Sequence, residues 1–294
     1  MLEGTIIKGI GGFYYVNTKE GIFECRARGK FRKEKVTPLV GDYVQISVID
    51  NSKKTGSLDT IKERKNMMIR PKVANVDQVI IVFAAVSPDI NVDLLDRFLV
   101  LAARQGIEAV ICINKIDLDK EEKYKQIVEL YSKAGYRVLA VSAFENINTD
   151  ELKNIFKGKI TAFAGPSGVG KSSIVNAINP ELNVQTGTIS EKIERGKHTT
   201  RHAELMELFE GSYIVDSPGF TSLSIEDILP EELENYFPEF KEYIGKCYFS
   251  GCSHVSEPDC EVKNHVGNEI SKERYDRYLL FYDELKNVYR ERKK

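Results

Sequence analysis

The sequence of 294 residues contains no long apolar run, no recognisable leader and little net charge. Its longest unbroken apolar stretch covers residues 79–86, far fewer than the roughly 18 residues that a membrane-spanning helix needs. No charged segment followed by an apolar segment opens the chain, so the sequence predicts no export. We therefore expect a cytoplasmic protein without a membrane partner, of ordinary globular composition and long enough for two or three domains.

The net charge of −2 conceals an uneven distribution along the chain. Residues 1–70 carry 14 Lys and Arg against 8 Asp and Glu, a net charge of +6, whereas the remaining residues carry a net charge of −8. A basic N-terminal segment on an acidic body suggests that a polyanion binds at one end of the molecule. The alternative is an ordinary solvated, charged surface.

Short β-type segments fill the first 65 residues. Runs at 5–7, 13–16, 22–28, 43–49 and 56–61 are separated by glycine-rich or polar turns, a pattern that predicts a five-stranded OB-fold barrel. We expect Phe13, Tyr15 and Phe23 to fill the barrel core. The turn at 29–36 surrounds Phe31 with basic residues, which suits RNA because cations bind phosphates and a ring can stack on a base. These basic residues are Lys30, Arg32, Lys33 and Lys35.

From residue 79 onward, apolar strand patterns alternate with amphipathic helix patterns, which predicts a parallel sheet covered on both faces. Within this region residues 165–172 have the sequence GPSGVGKS, which fits the phosphate-binding pattern G-x-x-x-x-G-K-[ST]. A strand pattern precedes the glycines and a helix pattern follows them, as a phosphate-binding loop requires. Lys171 is expected to contact the β- and γ-phosphates, and Ser172 to bind Mg²⁺.

A second motif, N-K-x-D, follows a predicted strand at 108–113. The carboxylate of Asp117 can accept two hydrogen bonds from N1–H and the exocyclic amino group of guanine, a donor pair that adenine lacks. Asn114 would brace the loop, the stem of Lys115 would cover the base, and a backbone N–H near Ala143 would meet the O6 atom. Together with Ser142-Ala143 after the next strand and with the phosphate-binding loop, the motif predicts a guanine nucleotide.

Two further segments could respond to the γ-phosphate. A polar, glycine-containing stretch at 187–200 ends in Thr199 and Thr200, one of which would close over Mg²⁺. A strand pattern at 212–215 leads into D-x-x-G, where Asp216 would hold Mg²⁺ through a water and the Gly219 N–H would meet the γ-phosphate. These contacts weaken when the γ-phosphate leaves, so both segments are expected to switch between ordered and disordered states.

The order of the motifs is unusual. Ras-like and translational GTPases run from the phosphate-binding loop to N-K-x-D and S-A, whereas here N-K-x-D and S-A come first. The sequence therefore resembles a circular permutation with new ends cut shortly after D-x-x-G. The barrel and the C-terminal segment are then both joined to the γ-phosphate sensor, and we expect the GTP and GDP forms to differ most beyond residue 220.

Three cysteines and a histidine lie within 14 residues, in the spacing Cys-x₄-Cys-x-His-x₅-Cys. Four soft ligands suit tetrahedral Zn²⁺, and a closed set leaves no position for water, so the metal would be structural. Disulfides are the alternative, but a cytoplasmic chain keeps its thiols reduced and the histidine would be unexplained. Cys25 and Cys112 are expected in the core, and His265 at the surface. The predicted zinc ligands are Cys247, Cys252, His254 and Cys260.

With a basic β-barrel before the permuted motifs and a Cys/His cluster after them, the whole chain resembles the ribosome small-subunit-dependent GTPases, the RsgA (YjeQ, YloQ) family. The resemblance implies a multidomain fold with an OB-fold barrel at 1–66, a circularly permuted α/β P-loop GTPase domain at 67–224 and a mostly helical zinc-binding domain at 225–294. It also implies a monomeric, ribosome-stimulated GTPase that binds the 30S subunit and 16S rRNA, acts late in subunit maturation, and uses Mg²⁺ with GTP and one structural Zn²⁺.

The resemblance also implies roles for single residues. Phe220 follows D-x-x-G, where Ras-like enzymes place a water-orienting glutamine, and a phenyl ring cannot orient water by hydrogen bonding. His198 is implied to substitute, or it contacts rRNA phosphate instead. The implied catalytic set is Lys171, His198, Asp216 and Gly219, with Ser172, Thr200 and Asp216 at Mg²⁺. The implied nucleotide contacts are Asn114, Lys115, Ile116, Asp117, Ser142, Ala143, Gly165, Pro166, Ser167, Gly168, Val169, Gly170, Lys171, Ser172, Ser173, Thr199 and Thr200.

Two other functions fit parts of the sequence. A P-loop nucleoside or nucleotide kinase would need an acceptor pocket and would not need N-K-x-D, so a preference for guanine over adenine separates it from a GTPase. A non-catalytic GTP/GDP sensor that binds RNA would use the same nucleotide site. Single-turnover hydrolysis with and without 30S subunits separates that sensor from an enzyme.

Overall fold

The computed structural model describes residues 1–69, 71–184, 203–216 and 224–292. Its first strands are β1 (Leu2–Ile10), β2 (Phe13–Thr18), β3 (Gly21–Ala27), β4 (Tyr43–Asp50) and β5 (Thr55–Ile61). β1 pairs antiparallel with β2 and β4, β2 with β3, and β4 with β5, while β3 and β5 run parallel. The strands therefore close into the predicted OB-fold barrel, whose core contains Ile6, Val16, Phe23, Val44, Ile46 and Leu58.

The turn after β3 differs from its prediction. Residues Gly29–Lys33 form a short helix, α1, and Phe31 faces the core with only 5% of its surface exposed. Because a buried ring cannot stack on a base, the expectation of a stacking Phe31 was wrong. The basic residues around it are exposed, so the charge of this turn is available to a partner.

Aromatic residues contribute less to the barrel core than expected. Phe23 is fully buried, as predicted, but Phe13 and Tyr15 are only half-buried. The reason is that the buried residue of β2 is Val16. The guanidinium of Arg26 lies 4.5 Å from the centre of the Phe13 ring, a cation–π contact at the barrel surface.

The segment after the barrel contains two short paired strands, β6 (Met67–Met68) and β7 (Val73–Ala74). The guanidinium of Arg64 donates to the buried carboxylate of Asp42 in the barrel at 2.6 Å. The side-chain amide of Asn75 donates to a barrel carbonyl at 2.9 Å. These buried polar contacts fix the barrel to the region that follows it.

The central sheet contains β8 (Gln78–Ala84), β9 (Glu108–Asn114), β10 (Arg137–Ala140), β11 (Ile160–Ala164), β12 (Glu204–Phe209) and β13 (Ser212–Asp216). The strands lie in the order β10-β9-β8-β11-β13-β12, and all are parallel except β12. β11, which precedes the phosphate-binding loop, thus lies between strands from both ends of this region, as a circular permutation requires. The helices are α2 (Val92–Arg104), α3 (Tyr124–Lys133), α4 (Thr149–Phe156) and α5 (Lys171–Ile178).

The barrel and the central sheet are continuous. β1 pairs antiparallel with β12 at Lys8 and Glu204, so a single sheet of 11 strands runs through both regions. The ammonium of Lys8 lies 3.0 Å from the carboxylate of Glu204, and the side-chain amide of Asn17 donates to the hydroxyl of Tyr213 at 2.9 Å. The barrel is thereby attached to the edge strand of the central sheet.

The C-terminal region contains short 3₁₀ segments and one long helix. In place of the continuous helix that a mostly helical domain suggests, this region begins with two 3₁₀ segments, Pro230–Tyr236 and Pro238–Phe240, and each starts at a proline, which suits the first position of a helical turn. They are followed by α6 (Glu261–Asn264) and α7 (Lys272–Arg292). Among the helices of the described residues, none has an apolar stretch long enough to cross a bilayer.

Candidate nucleotide site and metal centre

The loop between β11 and α5 contains three residues with left-handed backbone. Gly165, Gly168 and Gly170 have φ angles of 120°, 79° and 94°. A side chain at Gly165 would collide with the carbonyl of Val82 in β8, and one at Gly170 would collide with the side-chain amide of Asn114. The loop therefore needs glycine both for its turns and for its close approach to neighbouring strands.

Lys171 begins α5, and its side chain lies inside the phosphate-binding loop. Only 3% of the residue is exposed, and its Nζ donates to the carbonyls of Gly165 and Pro166 at 2.9 and 2.7 Å. Burial lowers the pKa of the Lys171 ammonium to about 8. An anion in this loop would favour the charged form of Lys171 and oppose that shift.

Asn114 joins the three predicted nucleotide-binding loops. It ends β9, is 2% exposed, and its Nδ2 donates to the carbonyl of Val169 in the phosphate-binding loop at 2.9 Å. Its Oδ1 accepts the N–H of Ala143 at 3.1 Å. The N-K-x-D loop, the S-A loop and the phosphate-binding loop therefore meet at the carboxyl edge of the central sheet, where open α/β sheets bind ligands.

The rest of the N-K-x-D motif follows a left-handed turn. Lys115 has a φ angle of 61°, and its Nζ donates to the carbonyl of Ser87 at 2.7 Å. The N–H of Ile116 donates to the carbonyl of Val141 at 3.3 Å. Asp117 is half-buried, and its Oδ1 is buried with no hydrogen-bond partner among the described residues. Because an unpaired buried carboxylate oxygen is costly, this atom is suited to an N–H donor of a ligand.

The other predicted contacts lie at the same edge of the sheet. Ser142 is buried, and its hydroxyl accepts a backbone N–H of its own loop at 3.0 Å. The N–H of Ala143 is occupied by Asn114 in this conformation, so it does not point to a guanine O6. Ser172 is buried at the start of α5, and Ser173 is half-buried. Of the remaining loop residues, Val169 is buried, Pro166 is half-buried, and Ser167 and Gly168 are exposed.

Asp216 ends β13, which runs parallel to β11, so its backbone lies at the edge that carries the phosphate-binding loop. In β12, Glu204 is its antiparallel partner. The side chain of Asp216 is outside the described part of the structure, and its predicted role at Mg²⁺ stays a prediction. The same holds for residues that lie wholly outside the described ranges: His198, Thr199, Thr200, Gly219 and Phe220.

The four predicted zinc ligands come together in the C-terminal region. One ligand atom from each of Cys247, Cys252, His254 and Cys260 lies within 4.8 Å of the others. The Sγ atoms of Cys247 and Cys260 are 3.9 Å apart, and the Nδ1 atom of His254 lies 3.5 and 3.3 Å from them. Tetrahedral zinc with Zn–S bonds of about 2.3 Å separates its ligand atoms by roughly 3.5–3.8 Å, so the arrangement fits this metal. All five cysteines are free thiols, which removes the disulfide alternative.

The loop that carries the ligands is held by residues that the sequence did not single out. The carboxylate of Glu257 accepts three backbone N–H groups between Ser253 and Ser256 at 2.9–3.1 Å. Burial alone would raise the pKa of Glu257, but these bonds and the Ser253 hydroxyl lower it to about 2. The hydroxyl of Tyr275 in α7 donates to the carbonyl of His254 at 2.7 Å. Spacing alone could not have distinguished Glu257 from its exposed acidic neighbours.

The two remaining cysteines are core residues, as predicted. Cys25 and Cys112 are fully buried, and burial raises the pKa of their thiols to about 11 and about 12. Such thiols stay protonated and unreactive. His265 lies outside the ligand cluster and partly at the surface, where the carboxylates of Glu269 and Glu261 raise its pKa.

Comparison with known proteins assigns the chain to a family. The family model described as RsgA GTPase matches residues 61–226, and the model described as RsgA N-terminal domain matches residues 3–56. The protein of Agathobacter rectalis called small ribosomal subunit biogenesis GTPase RsgA is 48% identical, with 97% of this chain and 99% of the relative covered. A protein of the same name from Ruminiclostridium cellulolyticum is 50% identical, with 98% and 95% covered.

Two solved structures are similar over nearly the whole chain. The crystal structure of YjeQ from Thermotoga maritima has a TM-score of 0.84 at 40% identity and covers 97% of this chain and 98% of its own. The structure of YloQ, described as a circularly permuted GTPase, has a TM-score of 0.82 at 41% identity, with 98% and 96% covered. The chain therefore belongs to the RsgA GTPase family, and it is a circularly permuted GTP hydrolase.

Proposed function

We propose that this GTPase acts in biogenesis of the small ribosomal subunit, the role for which its relatives are named. The unpaired, buried Oδ1 of Asp117 carries the proposal of a guanine site, because N1–H and the amino group of guanine would supply the donors that this carboxylate needs. The side-chain amide of Asn114, in the same motif, donates to the carbonyl of Val169 in the phosphate-binding loop at 2.9 Å. A nucleotide would therefore lie along the carboxyl edge of the sheet, with its base at Asp117 and its phosphates at Lys171.

The phosphate-binding loop supports hydrolysis through charge. Lys171 and the backbone N–H groups of residues 165–173 would stabilise the charge that develops on the transferred phosphoryl group. Ser172, together with Asp216 and Thr200, would hold Mg²⁺, which would supply positive charge to the phosphates. Because water would attack the γ-phosphate directly and in line, the protein would form no covalent intermediate with the substrate.

The sequence places no glutamine at the position that orients the attacking water in Ras-like enzymes. Phe220 cannot act as a hydrogen-bond partner of water, so the isolated enzyme would be slow. His198 would orient the water or contact rRNA phosphate. We infer that the small subunit completes the site and stimulates hydrolysis late in its own maturation.

The barrel would contact 16S rRNA through charge. Exposed cations surround the buried Phe31 on α1, and such cations bind phosphates irrespective of base sequence. The Cys₃His cluster would hold one structural Zn²⁺ and keep the C-terminal domain folded. The protein would act as a cytoplasmic monomer, with residues 1–66, 67–224 and 225–294 as its three domains.

Two measurements on the full-length chain test the proposal. Co-sedimentation with purified 30S subunits is expected to be stronger with a non-hydrolysable GTP analogue than with GDP, with 50S subunits as the control. Single-turnover GTP hydrolysis is expected to accelerate when 30S subunits are added. Nucleotide-independent co-sedimentation without acceleration would reject the ribosomal role while leaving the GTPase assignment intact.

A further inference from the structure

A carboxylate outside the Cys/His cluster contacts the histidine of that cluster. The Oε2 atom of Glu234 lies 2.6 Å from the Nε2 atom of His254. The other ring nitrogen, Nδ1, faces the Sγ atoms of Cys247 and Cys260. His254 is 1% exposed, so its ring is enclosed by protein on all sides.

This geometry fixes which nitrogen can bind a metal. A neutral imidazole carries one N–H and one lone pair, and the carboxylate of Glu234 can only accept a hydrogen bond. The proton therefore belongs on Nε2, which leaves the lone pair of Nδ1 directed at the two thiols. The ring of Phe240, 6.0 Å from the His254 ring in an edge-to-face arrangement, supplies no acceptor.

Glu234 reaches the cluster from a separate part of the fold. It lies on the 3₁₀ segment Pro230–Tyr236, and its side chain is 22% exposed. The buried neighbour Leu233 packs in the same hydrophobic cluster as Val100 and Leu101 of α2. The contact with His254 thus connects the metal centre to a segment that is anchored on the GTPase domain.

We propose that Glu234 is a positioning residue of the zinc centre, which selects the Nε2–H tautomer of His254, orients its Nδ1 toward the metal and slows metal release. The proposal rests on zinc as the metal proposed above. Outer carboxylates of this type typically raise metal affinity 10–100-fold by holding the ligand ring in place and increasing its basicity.

Zinc competition with a chromophoric chelator tests this role in the full-length protein. Glu234→Ala is expected to weaken zinc binding 10–100-fold and to speed zinc release. Glu234→Gln, which keeps the size and one acceptor oxygen but loses the charge, is expected to show a smaller loss. Glu231→Ala, at an exposed glutamate of the same segment, is the matched control and is expected to behave as the wild type.

Nitrogen-15 NMR of the histidines supplies a readout that a merely structural role would not change. The zinc-loaded wild type is expected to show His254 protonated at Nε2. An Nδ1–H tautomer, or zinc affinity and release in a folded Glu234→Ala variant within twofold of the wild type, would overturn the proposal. If Glu234→Ala fails to fold, Glu234→Gln is measured instead, and zinc release no faster than in the wild type would then overturn the proposal. A wild-type protein without zinc by elemental analysis would overturn the metal assignment itself.

Discussion

The guanidinium of Arg274 in α7 donates to the carboxylate of Asp96 in α2, and both residues are almost completely buried. The same guanidinium donates to Glu239 at 2.7 Å, and the hydroxyl of Tyr131 donates to Asp96 at 2.7 Å. The ring of Phe237 covers the guanidinium at 4.6 Å. The C-terminal region is therefore joined to the GTPase domain by a charge network that water does not reach.

Removal of the cation from this network should be costly. Arg274→Met leaves the carboxylates of Asp96 and Glu239 buried together, and we expect the free energy of unfolding to fall by about 3–5 kcal/mol in zinc-supplemented urea titrations. Lys272→Met removes an exposed ion pair on the same helix and should leave the titration unchanged. A loss below about 1 kcal/mol for Arg274→Met would show that the network adds little to stability.

Asp117→Asn should change the base that the protein prefers. The substitution replaces one acceptor oxygen with an N–H donor, which faces the amino group of guanine but matches the C2 carbonyl of xanthine. One charge-assisted hydrogen bond of roughly 1.5–3 kcal/mol is lost and the other becomes neutral, so GDP affinity should fall about a hundredfold while xanthosine diphosphate affinity rises. Fluorescent nucleotide titrations measure both. Unchanged preference for guanine would place the base elsewhere.

Gly170→Ala should disconnect the phosphate-binding loop from the base-binding loop. The new methyl group would collide with Asn114 as well as strain a φ angle of 94°, so we expect nucleotide affinity to fall at least tenfold. Gly211→Ala is the control, because its φ angle is 69° and its added carbon meets open space. Equal affinities for the two variants would show that the close approach of Gly170 to Asn114 does not determine nucleotide affinity.

The pKa of Lys171 predicts how nucleotide binding depends on pH. Burial lowers this pKa to about 8 in the nucleotide-free chain, so the ammonium loses its proton as the pH rises above 8. Bound phosphates favour the charged form, and binding at pH 9 should therefore take up a proton. Calorimetry in two buffers of different ionisation enthalpy detects this uptake. Lys171→Arg stays charged at pH 9 and should show none; equal uptake in both proteins would contradict the assignment.

Charge substitutions on α1 should weaken subunit binding in a salt-dependent way. Gln in place of Lys30, Arg32 and Lys33 removes exposed cations and leaves Phe31 in the core. Each lost phosphate contact should lower the slope of log affinity against log salt by about one. Gln at Lys123 and Lys125, which pair with Glu121 and Glu122 at the surface, serves as the control. Equal salt slopes for the two variants would place the rRNA contact elsewhere.

Local patterns in the sequence predicted the barrel, the permuted sheet and the Cys/His cluster. Period-two runs identify strands, and glycine spacing identifies the phosphate-binding loop, because both are encoded by neighbouring residues. The four residues of the Cys/His cluster lie within 14 positions of one another, and their types and spacing suit tetrahedral zinc. For these features the short-range signal was sufficient.

Contacts between distant segments could not be predicted in the same way. Arg274 and Asp96 are 178 positions apart, and neither has a local environment that marks it as buried. Glu234 resembles the other acidic residues of its segment until the fold brings it to His254. Phe31 looked like an exposed aromatic among cations because the sequence does not reveal that a helical turn directs it inward. Such contacts follow from packing in three dimensions.

The attachment of β1 to β12 has a practical consequence for experiments on the barrel. A shortened chain that begins after the barrel would present the outer backbone groups of β12 to solvent, and an open edge of this kind is a template on which another molecule can add a strand. Such a protein would self-associate for reasons unrelated to RNA. The contribution of the N-terminal region is therefore better measured by exchanging its charges in the intact molecule than by cutting it away.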